Sequence, residues 1–293
     1  MIEPMVASEQ RTDMLGMPEP TFLEAAGTKF PLVKAGAGTP ILFVHGGWTD
    51  LRIWCRVWQQ VARTYEFLAV TQRHFGCHNW GGEPPFARSI HTQDLIALIK
   101  VLNQPMHLVG WSYAGGILLK TAGELPELVR SVTIYEPSYE SEAMQVEGDL
   151  QRAQETFRQA FEPAYDMAQS GDIENGVRLG CEVNYGLGRG GFATLAPQFQ
   201  QVFLENVHTM LPALEAPAAE LLTAAELATV TCPALIIQGE RTHDRYKIMA
   251  DSTVASLPNS SAGVFNGVGH GGPIQVPNRF TETVLDFVGK VSS

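Results

Sequence analysis

The chain has 293 residues, of which 45% are hydrophobic and 17% charged, an ordinary composition for a globular protein. Its formal net charge is −11 at pH 7, and no basic stripe is interleaved with aromatic residues, so neither nucleic acid nor an anionic membrane surface is an expected partner. The 4 cysteines are scattered without CxxC spacing, which favours free thiols in a reducing compartment over a disulfide scaffold.

Targeting and membrane segments are not predicted. The first twenty residues contain acidic side chains and prolines but no apolar core of a secretory signal. No run of about 18 apolar residues occurs, so no membrane span is expected. We therefore expect a cytoplasmic protein whose partner is a small-molecule substrate, and a homodimer is left open.

Short aliphatic runs recur along the chain, and helical patterns separate them. Because these runs lack polar alternation, they indicate parallel strands that are buried on both faces of a sheet. The predicted strands are Ile41–Val44, Phe67–Val70, His107–Gly110, Val132–Tyr135, Ala234–Ile237 and Ala262–Phe265. The predicted helices lie roughly at Ile90–Leu102, Ala114–Ala122, Tyr246–Leu257 and Arg279–Val288. This alternation predicts an α/β fold with a mostly parallel, doubly wound sheet.

One long interval, from about residue 137 to residue 227, contains no convincing strand. Apolar residues in it share helical faces, namely Leu150, Ala153, Phe157 and Phe161 in one segment and Phe199, Val202, Phe203, Val207 and Met210 in another. The interval is too long for ordinary crossover helices. We predict an inserted helical cap at 137–228, which divides the core domain into 1–136 and 229–293.

Ser112 lies on the turn between a predicted strand that ends at Gly110 and a helix that begins near Ala114. A turn this tight needs small residues two positions to either side, and it raises the serine Oγ above the sheet at a helix N-terminus. The N–H groups and the positive dipole end there favour a developing oxyanion. The pattern resembles the GxSxG nucleophile elbow of the α/β-hydrolase superfamily, with Ala114 in place of the last glycine.

Two further motifs resemble the same superfamily, and the likeness spans residues 40–135 and 232–290. The first strand runs into His45-Gly46-Gly47-Trp48, which is similar to the oxyanion loop and implies that the N–H groups of Gly47 and Tyr113 form the oxyanion hole. His270 lies in a glycine-rich loop after the last strand and resembles the catalytic base. Trp48 and Trp111 flank this site, as candidates for an apolar substrate pocket or as core aromatics.

The acid of a Ser–His–acid triad is not at the usual place, because Thr242 stands where the family commonly has an aspartate after the strand Ala234–Ile237. Two carboxylates compete for the role. Glu136 ends the strand Val132–Tyr135, a place that haloalkane dehalogenases and zearalenone-type lactonases use for their acid. Asp244 lies two residues after Thr242, where it is also suited to the start of a helix. We favour Glu136 over Asp244.

The resemblance implies a capped serine hydrolase. Ser112 is the expected nucleophile, His270 the base and Glu136 the orienting acid. The expected substrate is a small, mostly apolar ester or lactone cleaved through an acyl-enzyme, without a cofactor and without a metal. Two alternatives remain: a cofactor-free C–C bond hydrolase or lyase on the same triad, and a non-catalytic ligand receptor of the same fold.

Overall fold

A computed structural model describes residues 16–78, 80, 84–145, 148–217 and 220–292 of the chain. The expectation that the N-terminus carries no secretory signal falls mainly on residues 1–15, which lie outside the described residues. Across the described residues, no helix combines the length and the apolar character that crossing a membrane requires.

An eight-stranded sheet forms the centre of the molecule, and all six predicted strands belong to it. The strands are β1 (Thr21–Ala25), β2 (Thr28–Ala35), β3 (Pro40–Val44), β4 (Glu66–Val70), β5 (Met106–Trp111), β6 (Val129–Tyr135), β7 (Ala234–Gly239) and β8 (Ser260–Phe265). Their order across the sheet is β1-β2-β4-β3-β5-β6-β7-β8. From β4 to β8 every neighbouring pair is parallel, so the predicted α/β fold with a mostly parallel sheet is confirmed.

The antiparallel hairpin of β1 and β2 at the sheet edge was not predicted. Ala25 pairs with Thr28, which leaves a two-residue turn at Ala26 and Gly27. Both turn residues have positive φ, 48° and 73°, as the type I′ turns of tight hairpins require. β1 is largely exposed and β2 contains Pro31, so neither segment has the continuous apolar pattern of a buried strand.

Both faces of the sheet are buried, which explains why the central strands are apolar throughout. Along β3, Ile41 and Phe43 point to one face, and Leu42 and Val44 point to the other. Each face is covered by its own apolar cluster and helices. A strand in this position has no solvent-facing side on which polar residues could alternate.

Eleven helices lie in the described part of the chain. They are α1 (Trp58–Val61), α2 (Arg88–Leu102), α3 (Ala114–Glu124), α4 (Asp149–Gln169), α5 (Ile173–Tyr185), α6 (Pro197–Glu205), α7 (Met210–Glu215), α8 (Ala224–Ala228), α9 (Asp244–Ser256), α10 (Gly272–Gln275) and α11 (Pro277–Ser292). Helices α4 to α8 all fall between β6 and β7. Among the described residues of that interval, the only strand-type pairing is an isolated bridge between Ser141 and Leu222.

The parallel strands bring the sequence motifs together. The loop after β3 contains Gly47, β5 is followed by Ser112, β6 by Glu136, and β8 by the loop of His270. The carboxyl ends of parallel strands meet at one edge of a sheet, which is where open α/β sheets bind ligands.

Candidate active site

Ser112 occupies a strained backbone position between β5 and α3. Its φ is +53°, a left-handed conformation that residues other than glycine rarely adopt. The conformation is held by hydrogen bonds: the Ser112 N–H donates to the Tyr135 carbonyl at 3.0 Å, and the Ser112 carbonyl accepts from Gly115 N and Ser138 N at 2.8 and 2.9 Å. The turn is therefore tied to the end of the neighbouring strand β6.

The small residues around Ser112 are required by close packing. A Cβ at Gly110 would lie 2.7 Å from Leu118 Cδ2, and one at Gly115 would lie 2.6 Å from Pro137 Cβ. Both distances are far below van der Waals contact. Ala114 fits, fully buried, where the family pattern has a glycine. Helix α3 can therefore press against the segment that follows β6, which also contains Glu136.

His270 links the serine to the carboxylate. Its Nε2 lies 2.8 Å from Ser112 Oγ and its Nδ1 lies 2.6 Å from Glu136 Oε2. Because an ionised carboxylate only accepts, the Nδ1–H donates to Glu136 and the unprotonated Nε2 accepts from the Ser112 hydroxyl. The imidazole is therefore in the tautomer that can remove the serine proton.

Three aromatic side chains hold the His270 ring. The Tyr246 ring stacks on it with centroids 3.9 Å apart and planes inclined by 12°, and the Tyr185 ring at the end of α5 lies 5.8 Å away. Trp111 donates from its indole N–H to the His270 carbonyl at 2.9 Å. We expected Trp111 to be a pocket or core residue. It is only 1% exposed and packs against His270, as a core aromatic residue does.

Glu136 is completely buried and makes three hydrogen bonds. Besides His270, its carboxylate accepts from Gly239 N at 2.6 Å and from the Thr242 hydroxyl at 2.7 Å. Its backbone φ is +46°, so the chain turns sharply at the strand end to aim the side chain at the histidine loop. A buried carboxylate without such partners would be very unfavourable, and here every partner is a donor.

The structure does not bring the alternative acid to His270. Asp244 is the first residue of α9, its side chain is 80% exposed, and its ion-pair partner is Lys247 on the same helix. This is the position of a first-turn helix carboxylate. Glu240, in the loop after β7, accepts from the backbone N–H of Gly267.

Gly47 and Tyr113 lie side by side next to Ser112. A Cβ at Gly47 would be 3.9 Å from the Tyr113 Cβ, and among the described residues neither backbone N–H has a hydrogen-bond partner. Two such donors beside the N-terminus of α3 are suited to bind an oxyanion.

Trp48 adopts φ +56°, and its ring stacks on Phe161 of α4 at 5.6 Å, facing the helices between β6 and β7.

His45, in the loop after β3, stabilises the backbone turn there. His45 is fully buried, accepts from the Gln72 N–H at Nε2 and bonds to the Gly46 carbonyl through Nδ1, so it braces the turn before Gly47. Burial lowers the pKa of His45 to about 4, and the ring is neutral at pH 7.

In the described part of the chain, no three His, Cys, Asp or Glu side chains cluster as metal ligands would.

The pKa of His270 predicts how the reaction should depend on pH. Burial lowers this pKa below its ordinary value of 6.5; the bond and charge of Glu136 oppose the shift, and Arg245 and His243 add to it. Protonated His270 cannot accept the serine proton, so kcat/KM should rise with pH to a plateau, with a midpoint below 6.5. A pH–rate profile on an uncharged ester measures this. A rising limb centred above 6.5 would contradict it.

Several residues at this site carried no usable signal in the sequence. Thr242 was noticed only as the residue that replaces an aspartate, whereas it donates to Glu136. Tyr246 of α9 and Tyr185 of α5 contact His270. Both lie far from His270 along the sequence, so these contacts could not be predicted from it. The loop after β7, which contains Thr242, is a place where a hydrogen-bond partner of Glu136 could have been sought.

Comparison with known proteins identifies the family. A model of the alpha/beta hydrolase family matches residues 41–283, well over half of the chain. Among curated proteins, 2-hydroxymuconate semialdehyde hydrolase of Pseudomonas sp. (strain CF600) is 23% identical over 295 aligned residues, which cover 92% of this chain and 93% of that protein.

Solved structures with the same fold include enzymes that act on ester bonds. The naproxen esterase (carboxylesterase NP) of Bacillus subtilis superposes with a TM-score of 0.72 at 18% identity, covering 94% of both chains. The enol-lactonase of Burkholderia xenovorans LB400 superposes with a TM-score of 0.71 at 17% identity, covering 92% of this chain and 100% of that one. At such identities these likenesses establish the fold.

Proposed function

The chain belongs to the alpha/beta hydrolase family, and we propose that it is a serine hydrolase that cleaves a small, mostly apolar ester or lactone through an acyl-enzyme intermediate. The observation that carries the proposal is the continuous hydrogen-bonded chain Ser112–His270–Glu136 at the carboxyl edge of the sheet. A serine, a base and an orienting carboxylate in this geometry are the parts that acyl transfer requires.

In the first half of the reaction Ser112 Oγ attacks the substrate carbonyl while its proton passes to His270 Nε2. The negative charge that develops on the carbonyl oxygen accepts hydrogen bonds from the N–H groups of Gly47 and Tyr113. Glu136 stays ionised and stabilises the imidazolium through Nδ1–H. The tetrahedral intermediate then collapses, and His270 Nε2–H protonates the departing alkoxide.

In the second half water replaces the alcohol. His270 Nε2 removes a proton from the water as it attacks the Ser112 ester, and the same two N–H groups stabilise the second oxyanion. Collapse releases the acid and returns the proton to Ser112. His270 takes up and returns the proton in each half of the reaction, so this route needs no cofactor.

We propose that residues 137–228 act as a cap over this site, and contacts from two of its helices support the proposal. Phe161 of α4 stacks on Trp48, and Tyr185 of α5 lies beside the His270 ring. Aromatic side chains of these helices therefore contact Trp48, next to Gly47, and His270, which lies at hydrogen-bond distance from Ser112. Such a lining suits a substrate with a mostly apolar body.

A second candidate is hydrolysis of a C–C bond on the same triad. It is favoured by the likeness to 2-hydroxymuconate semialdehyde hydrolase, because a hydroxymuconate semialdehyde contains neither an ester nor a lactone bond. Fold alone does not separate the two chemistries.

The proposal is tested by incubating the purified protein with short-chain 4-nitrophenyl esters, simple lactones and a vinylogous 1,5-diketone acid, with product identification by mass spectrometry. We expect turnover of the esters or lactones, with no turnover by the Ser112→Ala variant. Cleavage of the diketone alone would support the second candidate. A folded wild-type protein that turns over none of these would contradict hydrolysis and support a ligand-receptor function.

A further inference from the structure

Two arginines near Ser112 and His270 each have a donor that no described residue satisfies. Arg88 is the first residue of α2, and Arg245 is the second residue of α9. Both side chains are half-buried. The Nε atom of each is shielded from solvent and has no hydrogen-bond partner among the described residues. No described carboxylate forms an ion pair with either guanidinium, whereas Arg52 and Arg73 have such partners.

Each guanidinium group lies over an aromatic ring that adjoins Ser112 or His270. Arg88 Cζ lies 4.7 Å from the centroid of the ring of Tyr113, the residue that follows Ser112. Arg245 Cζ lies 5.0 Å from the centroid of the Tyr246 ring, which stacks on His270. The Tyr246 hydroxyl donates to Asn184 Oδ1 at 2.7 Å.

A hydrogen-bonded chain fixes the Tyr113 side chain under Arg88. His74 Nε2 contacts the Pro84 carbonyl at 2.8 Å, His74 Nδ1 contacts His91 Nε2 at 3.0 Å, and His91 Nδ1 contacts the Tyr113 hydroxyl at 2.7 Å. Burial lowers the pKa of both imidazoles, so each ring is neutral and has one donor and one acceptor nitrogen. Because the Pro84 carbonyl only accepts, His74 Nε2–H donates to it, and His74 Nδ1 then accepts from His91 Nε2–H. The Tyr113 O–H must then donate to His91 Nδ1, which fixes the ring over which the Arg88 guanidinium lies.

Arg88 and Arg245 carry like charges that repel each other. Burial is the largest cause that lowers the pKa of Arg88, and the repulsion by Arg245 adds to it. Glu140 attracts Arg88, but its carboxylate also accepts from Gln154 Nε2 at 2.6 Å. Two partly desolvated cations with unused donors are unfavourable until an anion binds between them.

We propose that Arg88 and Arg245 bind a carboxylate of the substrate, so that the hydrolysed ester or lactone has an apolar body and one anionic end. This inference rests on the proposed hydrolase function and specifies its substrate class. A guanidinium presents several N–H donors in a plane and forms charge-assisted bonds to a carboxylate. Together the two residues would anchor the acid end while the carbonyl lies over Ser112.

The test compares two esters of equal size, mono-4-nitrophenyl glutarate and the analogue in which a carboxamide replaces the free carboxylate. A matched second pair has the carboxylate or carboxamide on the alcohol side of an acetate ester. For one of the pairs we expect kcat/KM to favour the carboxylate by about 10- to 100-fold, as expected for charge-assisted hydrogen bonds to a desolvated group.

Substitutions assign that preference to the arginines. Arg88→Met and Arg245→Met should each reduce the ratio of the two rates, the double variant should bring it close to one, and Arg88→Lys should retain part of it. The ratio is the readout, because a loss of packing on Tyr113 would slow both esters alike. Arg158→Met is the matched control: Arg158 is an exposed residue of α4 that pairs with Glu155, and the ratio should be unchanged.

The outcomes separate this inference from the function on which it rests. An active enzyme that shows no preference in either pair, or a preference that survives the double substitution, would overturn the carboxylate site and leave the hydrolase intact. If no ester is cleaved and Ser112 proves unreactive, the hydrolase proposal fails. Calorimetric titration of the Ser112→Ala variant with glutarate and with glutaramide then tests the carboxylate site separately. Binding of glutarate but not of glutaramide, with the binding lost on Arg88→Met, would support the site. No binding of glutarate would overturn it.

Discussion

Ser112→Ala and His270→Ala should each reduce kcat on an ester substrate by roughly 10⁴- to 10⁶-fold, the range found when a member of a serine–histidine pair is removed. The first change removes the Oγ that attacks the carbonyl. The second removes the Nε2 that lies 2.8 Å from that Oγ. Steady-state kinetics on one 4-nitrophenyl ester measures both effects.

The two substitutions should not add. Because serine and histidine act as one unit, the double variant should be about as slow as either single variant. His45→Ala is an unsuitable control, since His45 braces the turn before Gly47. His78→Ala is better matched, because this ring contacts Phe22 and Trp80 away from the site. Turnover by His270→Ala within tenfold of the wild type would exclude His270 as the base.

Glu136→Gln should reduce kcat by roughly 10⁴-fold, which is the scale of effect when a triad carboxylate becomes an amide. The carboxylate accepts from His270 Nδ1 at 2.6 Å and so keeps the proton on that nitrogen. An amide N–H pointing at Nδ1 would favour the other tautomer, in which Nε2 carries the proton and cannot accept from Ser112. Steady-state kinetics on the same ester, with circular dichroism to verify folding, measures the effect.

Asp244→Asn is the matched control for this prediction. It makes the same chemical change at the other carboxylate that the sequence allows, and Asp244 is exposed and paired with Lys247. Turnover should therefore remain largely intact. The reverse pattern, in which Asp244→Asn is inactive and Glu136→Gln retains activity, would mean that the histidine loop takes a different partner in the working enzyme.

The central sheet and the arrangement of Ser112, His270 and Glu136 were predictable because the physics behind them is local. Strands buried on both faces must be apolar throughout, and a serine on a tight strand-to-helix turn needs small neighbours. The parallel strand order then brings their carboxyl ends together. Glu136 could be inferred because a charged residue that ends an apolar strand needs a partner.

Other features depended on contacts between distant segments. The β1–β2 hairpin lies at an exposed edge, so its residues escape the pattern of buried strands. Tyr185 and Tyr246 reach His270 from helices separated by about sixty residues of chain. Arg88 and Arg245 look like ordinary surface arginines in the sequence, and only the fold reveals that the Nε atom of each is shielded and has no partner among the described residues.

The most direct measurement of the central claim, that His270 and Glu136 activate Ser112, is labelling of the purified protein with a fluorophosphonate, followed by intact mass and peptide mapping. We expect one adduct per chain, located on Ser112, absent from Ser112→Ala and formed much more slowly in Glu136→Gln. A folded wild-type protein that forms no adduct, or an adduct that persists in Ser112→Ala, would contradict the claim.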